Sequence, residues 1–309
     1  MFGLRYHVAS LAAVFVALAV GILLGVAVSG KVTDAGEGIE LQNLKDDNEN
    51  LQSELDAARE AEQAATERGR GAEELFERAY LTLMDGRLDG RNVAVVFLGP
   101  ADGSVRADVE GALADAGAGA PTRVVALDVP VDSGELTAAL EGDEVLAGYA
   151  DDEGDFSDLG RDLGREMVED GETLWTMLQS QLVEEQSGSA AAPIDAAVVV
   201  STWQPPDAAG DEGSAAETEA TASLLEGVVS GLNGAGIPVV GAAESEDPAA
   251  ILEGYRDQGI SSVDAVDDSA GKLALALLLA GAEPGHYGLR NDATDGVIPP
   301  IEPLSVEGE

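Results

Sequence analysis

The chain has 309 residues, which is enough for one α/β domain and an extension. With 59 acidic against 16 basic residues its formal net charge is −43, and because such a surface repels phosphate backbones we expect no nucleic-acid partner. The chain has no cysteine, which excludes disulfides and thiolate metal sites.

The first segment of the chain is long and apolar. Val8–Gly30 is 23 residues without a charge, and as a helix it would reach roughly 35 Å, enough to cross a hydrocarbon core of about 30 Å. Ala27–Ser29 leaves signal-peptide cleavage open, but the run exceeds the usual apolar region of about 7–15 residues. Residues 1–37 therefore predict a retained single-pass membrane anchor, with its span at about 8–30.

Small residues recur every four positions along one face of this predicted helix. Gly21 and Gly25 form the motif that lets two transmembrane helices approach closely. Alanine and glycine are abundant here, so chance would place several of them in any row. The complete series nevertheless favours pairing between copies of the chain: Ala9, Ala13, Ala17, Gly21, Gly25 and Ser29.

Residues 38–90 are typical of a coiled-coil stalk. With Leu41 at heptad position a, the inner positions are Leu41, Leu44, Asn48, Leu51, Leu55 and Ala58. A single buried asparagine lowers stability but selects register and commonly two strands. A helix packed on its own domain is the alternative, although so narrow a seam between charged flanks favours a partner helix.

This seam weakens after Ala58. Glu62 falls at position a and Gly69 interrupts the run. The helix then continues into the sequence LFERAYLTLMDGRLDG, with one apolar face that we expect to contain Leu75, Phe76, Ala79 and Leu83.

Residues 91–290 alternate between hydrophobic strands and helices, which predicts an α/β domain with a doubly wound, mostly parallel sheet. The predicted strands are NVAVVFLGP, TRVVALDVP, IDAAVVVST, GIPVVGAAE and, at the edge, ISSVDAV. The predicted helices cover about 104–116, 133–146, 159–184 and 217–232, a segment after Pro248, and SAGKLALALLLAGA. QSGSAAAP is predicted as a loop, and residues 291–309 as a C-terminal tail.

Ligands of such sheets bind beyond the carboxyl ends of the strands. The sequence offers neither a phosphate-binding lysine loop nor a G-x-G-x-x-G turn there, so we expect no nucleotide site. Ser201 follows the third strand, but the only histidines are His7 and His286, and neither has the spacing of a hydrolase triad. We therefore expect no enzyme.

The sequence contains two kinds of possible metal ligand, carboxylates for hard cations and methionine or histidine for soft metals. Asp102, Asp128 and Glu244 follow predicted strands and could bind a hard cation, although solvated carboxylates are the simpler interpretation in so acidic a chain. Soft metals prefer methionine or histidine when cysteine is absent, and no two such residues form a chelating pair at short spacing. Met167 and Met177 are predicted as core residues of one long helix.

Two terminal motifs resemble a known family. They are LRYHVASLAAVFVALAVGILLG near the start and GHYGLRNDATDGVIPP near the end, the latter directly after SAGKLALALLLAGA. These motifs, and the order of parts along the whole chain, resemble the MctB-like actinobacterial copper transporter family. The resemblance implies a cell-envelope protein with an N-terminal membrane helix, a body outside the cytoplasm and a role in copper export or homeostasis. It supplies no catalytic residues, and His286 in the matched tail is the one candidate copper ligand.

The residues leave more than one function open. A single helix cannot form a conduit, so copper transport would require an oligomer. The shortage of soft ligands favours a dimeric structural scaffold of the cell envelope without direct metal transport. A small-ligand or enzyme domain is the third alternative, against which the missing base, nucleophile and phosphate loop count.

Overall fold

A computed structural model of the chain describes residues 14–22, 37–150, 155–169, 173–189, 192–205 and 212–301. The chain divides into two compact units, the first ending at Glu73 and the second beginning at Glu74. The predicted boundaries at residues 37, 90 and 290 stay predictions.

In the first unit, residues 14–22 are helical (α1), and their side chains are exposed. No helix within the part of the chain that the structure describes is both long and apolar enough to cross a membrane. Most of the predicted span at 8–30 lies outside that part, including Ala13 and Gly25, whereas Ala17 and Gly21 lie on α1.

A long helix, α2, extends from Glu37 to Met84. It continues through Gly69, so this glycine ends the predicted seam but not the helix. At its end, α2 contacts the body through Phe76, Tyr80, Leu83 and Met84. Leu75 was predicted on this face and is 71% exposed, since it lies about 100° around the helix from Phe76.

The second unit is built on a seven-stranded sheet with the order β3-β2-β1-β4-β5-β6-β7. Its strands are β1 (Val93–Leu98), β2 (Arg123–Leu127), β3 (Val183–Gly188), β4 (Ala196–Ser201), β5 (Val239–Ala242), β6 (Ser261–Val263) and β7 (His286–Tyr287). All neighbouring strands are parallel except β2 and β3, which are antiparallel. The predicted mostly parallel sheet is confirmed.

Helices cover both faces of this sheet. They are α3 (Gly103–Asp115), α4 (Ser133–Glu141), α5 (Ser157–Val168), α6 (Thr173–Leu182), α7 (Glu212–Gly234), α8 (Ala249–Asp257) and α9 (Ser269–Leu279). Alternate residues of a strand point to opposite faces. Val96 therefore lies in the core formed with α4 to α8, and Phe97 in the core formed with α3, α9 and the end of α2.

One predicted helix is wrong. Residues 159–184 were predicted as a single helix, but α5 ends at Val168, α6 begins at Thr173 and β3 begins at Val183. The Glu166 carboxylate accepts the backbone N–H groups of Thr173 at 2.6 Å and Leu174 at 2.8 Å, so it caps a new helix. The predicted loop QSGSAAAP is likewise wrong at its start, because β3 continues to Gly188.

Three smaller predictions also need correction. The helix predicted at 133–146 ends at Glu141, and Gly142 is its C-cap residue. The helix predicted at 217–232 is longer, from Glu212 to Gly234. The strand ISSVDAV, predicted at the sheet edge, is internal because β7 pairs with it on the outer side.

Helices α5 and α7 pack at unusually short range. Gly160 and Gly164 on α5 face Gly227 and Gly231 on α7. A Cβ added to Gly164 would clash with the carbonyl oxygen of Val228, and each of the other three would likewise clash with backbone. Because backbone atoms of a packed helix cannot move aside, only glycine fits at these four positions.

Candidate functional site

The tail motif that carries the family resemblance builds one edge of the sheet. His286 and Tyr287 form β7 and pair with β6. The backbone N–H of His286 donates to Asp295 Oδ2 at 2.8 Å, and its ring Nδ1 lies 3.0 Å from Ser262 Oγ. Partial burial, together with the nearby Arg256 guanidinium, lowers the pKa of His286. The lowered pKa favours the neutral imidazole, and the ring is engaged within its own fold.

A buried carboxylate holds the rest of this tail. Asp264 is fully buried, and it accepts the backbone N–H groups of Leu289 at 2.6 Å and Arg290 at 3.2 Å. Burial raises the pKa of Asp264, although these two hydrogen bonds oppose the change. Gly288 lies so close that an added Cβ would clash with the carboxylate. The glycine of the motif is therefore required for tail docking.

The methionines of the body are divided between the two cores. Met84 is fully buried in the core formed with α3 and α9. Met167 is buried in the opposite core, on which Met177 also packs. The prediction that Met167 and Met177 share one helix is wrong, because they belong to α5 and α6. Since the sheet separates Met84 from Met167, these thioethers cannot share one coordination shell.

The carboxylates singled out in the sequence have different surroundings. Asp102 caps α3 by accepting from Ser104 N at 2.8 Å and Ser104 Oγ at 2.6 Å. Burial, together with the charges of Asp247, Asp102 and Asp267, raises the pKa of Glu244, against a hydrogen bond from Ser104. The charge of Asp102 thus acts on Glu244.

Asp128, the third predicted carboxylate, follows β2 and is not among the charges that act on Glu244. Its backbone N–H donates to Leu182 O at 2.9 Å, beside the antiparallel edge strand. Within the described ranges, no group of three or more histidine, aspartate or glutamate side chains is placed to hold a metal ion.

A cavity of about 320 Å³ opens at the carboxyl ends of β1 and β4, and we call it the switch-point cavity. Chain connections leave β1 and β4 towards opposite sides of the sheet, which is the arrangement at which doubly wound sheets bind ligands. Its walls include Leu98, Ser201, Trp203, Leu225, Tyr255 and Gln258. The Tyr255 hydroxyl accepts from Ser201 N at 2.8 Å and lies 3.2 Å from Val199 O, so it fixes α8 against β4.

Sequence reasoning found only one wall of this cavity. Ser201 was expected beyond a strand end, where sheet ligands bind. Tyr255 and Gln258 were missed, because their position on a short helix after Pro248 gives no sign of what they face. One residue in the sequence gave a sign of this contact, Gly241 in the middle of β5. The Tyr255 ring packs directly against Gly241, and a Cβ added to Gly241 would clash with that ring.

Comparison with known families decides the identity of the chain. The model of the family described as copper transport outer membrane protein, MctB, matches residues 1–298. The chain belongs to the MctB family. The resemblance seen in the terminal motifs is thereby confirmed. As a member of this family, the chain is related to proteins of copper transport at the cell envelope. The family is one of transport proteins and not of enzymes. A search of curated proteins finds no match.

Proposed function

We propose that this MctB-family chain is a membrane-anchored envelope protein of copper export or homeostasis that works as an oligomer. The observation that carries the proposal is the family match over residues 1–298, which includes both the apolar N-terminal run and the docked tail. Val8–Gly30 anchors the chain as a single-pass helix, and the acidic body lies outside the cytoplasm.

The placement of possible copper ligands supports an assembly as the working form. Met84 and Met167 are buried on opposite faces of the sheet, and His286 is engaged by Ser262. A Cu(I) site gathers several soft ligands in one shell. Met84 and Met167 cannot belong to one such shell inside a single body, and we propose that copper is cargo for a path built between copies of the chain.

Exposed apolar residues on α2 support pairing between copies. Leu51 and Leu55, at inner positions of the predicted heptads, are 64% and 50% exposed. Leu41 and Leu44 lie in the same helix, but their side chains fall outside the described ones. A second α2 would bury these leucines around Asn48, as in a two-stranded coiled coil.

Copper content of cells tests this proposal. We expect cells that lack the chain to hold more copper after copper exposure than cells that express it, as measured by elemental mass spectrometry. Leu51→Asp places a charge in the seam and should behave like the deletion. Ser53→Asp adds the same charge on the outer face of the same helix and should behave like the wild type. Equal copper content with and without the chain contradicts the proposal.

A dimeric scaffold of the cell envelope is the second candidate. The separation of Met84 from Met167 favours it, because a scaffold needs no copper ligands. In that case Leu51→Asp would weaken the envelope, measured as detergent sensitivity, while leaving cell copper at the wild-type level.

A further inference from the structure

The switch-point cavity has the size and position of a small-molecule site. Its volume of about 320 Å³ lies at the lower end of the range for ligand pockets, roughly 300–1,000 Å³. It lies where β1 and β4 are neighbours at the centre of the sheet, the usual place for ligands in this architecture. Nothing in a copper role requires such a cavity.

The walls of the cavity are mainly apolar. Leu98, Leu225 and Ile251 contribute from β1, α7 and α8, each almost fully buried. Trp203 is partly exposed and contributes an indole ring. Gly254 also lines the space, and a Cβ added there would have no atom within 4 Å, so the cavity is open in front of it. These walls suit an aromatic ring or a short alkyl chain.

One polar group in the wall lacks a partner. Oε1 of Gln258 is buried and makes no hydrogen bond with any part of the chain that the structure describes. A buried acceptor without a partner reduces stability, so its presence needs a reason. The terminal amide of glutamine turns easily about χ3. In the observed rotamer Oε1 is closed off from solvent, so the amide must turn before this oxygen can accept from a donor inside the cavity.

The charge around the cavity has one sign. Glu226 is exposed and lines it, whereas no lysine or arginine among the described residues does so. A carboxylate in the wall favours a cationic ligand and repels an anionic one, and the net charge of −43 adds to this preference.

We propose that the switch-point cavity binds a small, mostly apolar ammonium compound, whose ring or chain lies between Trp203 and Leu225 and whose N–H group donates to Gln258. Glu226 supplies the opposite charge. This binding is independent of copper and of pairing between copies.

Two matched probes test the proposal on the full-length protein in mild detergent. Phenethylammonium and 3-phenylpropanoate share a ring and a similar length but carry opposite charges. We measure binding by calorimetry and by tryptophan fluorescence at about 0.15 M salt, where charges more than about 8 Å away are screened but close contact with Glu226 is not. We expect saturable binding of the ammonium compound and at least about tenfold weaker binding of the carboxylate, a difference of one decade in Kd.

Two neighbouring alanines on α8 provide the variant and its control. Both Ala249 and Ala250 are exposed, but only Ala250 lines the cavity. Ala250→Phe should fill the space and abolish saturable binding, whereas Ala249→Phe should leave it unchanged. Melting temperatures of both variants establish that each is folded.

Gln258→Leu tests the hydrogen-bond acceptor separately from the shape of the cavity. It removes an unpartnered buried oxygen, so the melting temperature without ligand should rise while affinity for phenethylammonium falls. The proposal is overturned if neither probe binds, if both bind equally well, if Ala250→Phe binds as the wild type does, or if Gln258→Leu leaves affinity unchanged.

Discussion

Glycines spaced four residues apart occur in two regions of this chain with opposite surroundings. Gly160 and Gly164 on α5 meet Gly227 and Gly231 on α7, and an added Cβ at any of them would clash with backbone. Gly21 on α1 has nothing within 4 Å of the same added atom. The spacing therefore predicts that a helix can approach closely, but it does not say whether the partner helix comes from the same chain.

The same contrast exists along α2. Tyr80 and Met84 are buried, and the Tyr80 hydroxyl donates to Asp115 Oδ2 at 3.0 Å. Leu51 and Leu55 in the earlier part of the helix are exposed. Where the chain supplies a partner, the apolar face is covered. Where no described residue covers it, we infer that a second copy does.

The largest expected effect concerns the buried glycines. Gly164→Ala should destabilise the body by about 2 kcal/mol or more, because the new Cβ would force α5 away from α7. Thermal unfolding should show a fall in Tm of roughly 4–8 °C. Gly111→Ala is the matched control, since Gly111 lies within α3 with open space around it and alanine is the better helix former by about 0.5–1 kcal/mol. Equal Tm values for the two variants would refute the close contact.

Replacing Gly21 and Gly25 should change assembly and leave the body's stability intact. Gly21→Ile combined with Gly25→Ile places bulk where two helices would meet, so pairing in mild detergent should weaken. Sedimentation measures the monomer fraction, and the Tm of the body serves as the internal control. A wild-type protein that is monomeric at micromolar concentration would defeat this prediction.

A smaller effect is expected at Asn48. Asn48→Leu should raise the stability of the paired stalk and loosen its choice of oligomer, because a lone polar residue at an inner position enforces one register at a cost in stability. Sedimentation would then detect species larger than the wild-type assembly. An unchanged oligomer with unchanged stability would place Asn48 outside the seam.

The smallest effect is expected at His286. His286→Ala should leave the Cu(I) affinity of the protein unchanged, since the imidazole is engaged by Ser262 and its neighbouring backbone N–H by Asp295. Competition with a Cu(I) chelator measures this affinity. A stoichiometric complex tighter than micromolar that is lost in the variant would instead make His286 a copper ligand.

The sequence predicts the parallel strands well because they are buried on both faces and read as continuous hydrophobic runs. It fails at β3, whose side chains are mostly exposed and whose pairing depends on the backbone. It also fails at β7, which has only two residues and is held by pairing with β6.

The close contact between α5 and α7 shows a different kind of failure. Gly160 and Gly164 have the same spacing as Gly21 and Gly25, but they lie among charged residues and meet a helix about sixty residues further along the chain. No local pattern shows that partner. The switch-point cavity is similar, because Tyr255 and Gln258 acquire their role only when α8 packs beside β4.

Disulfide cross-linking tests the central inference, that exposed apolar faces of this chain meet in a second copy. Because the chain has no cysteine, one introduced cysteine reports a single position. Oxidation in native membranes should link Leu51→Cys and Leu55→Cys into dimers, since a disulfide requires Cα atoms within about 7 Å, and should leave Ser53→Cys monomeric. Failure of both seam positions to link, or equal linking at Ser53→Cys, would show that α2 does not pair along this seam.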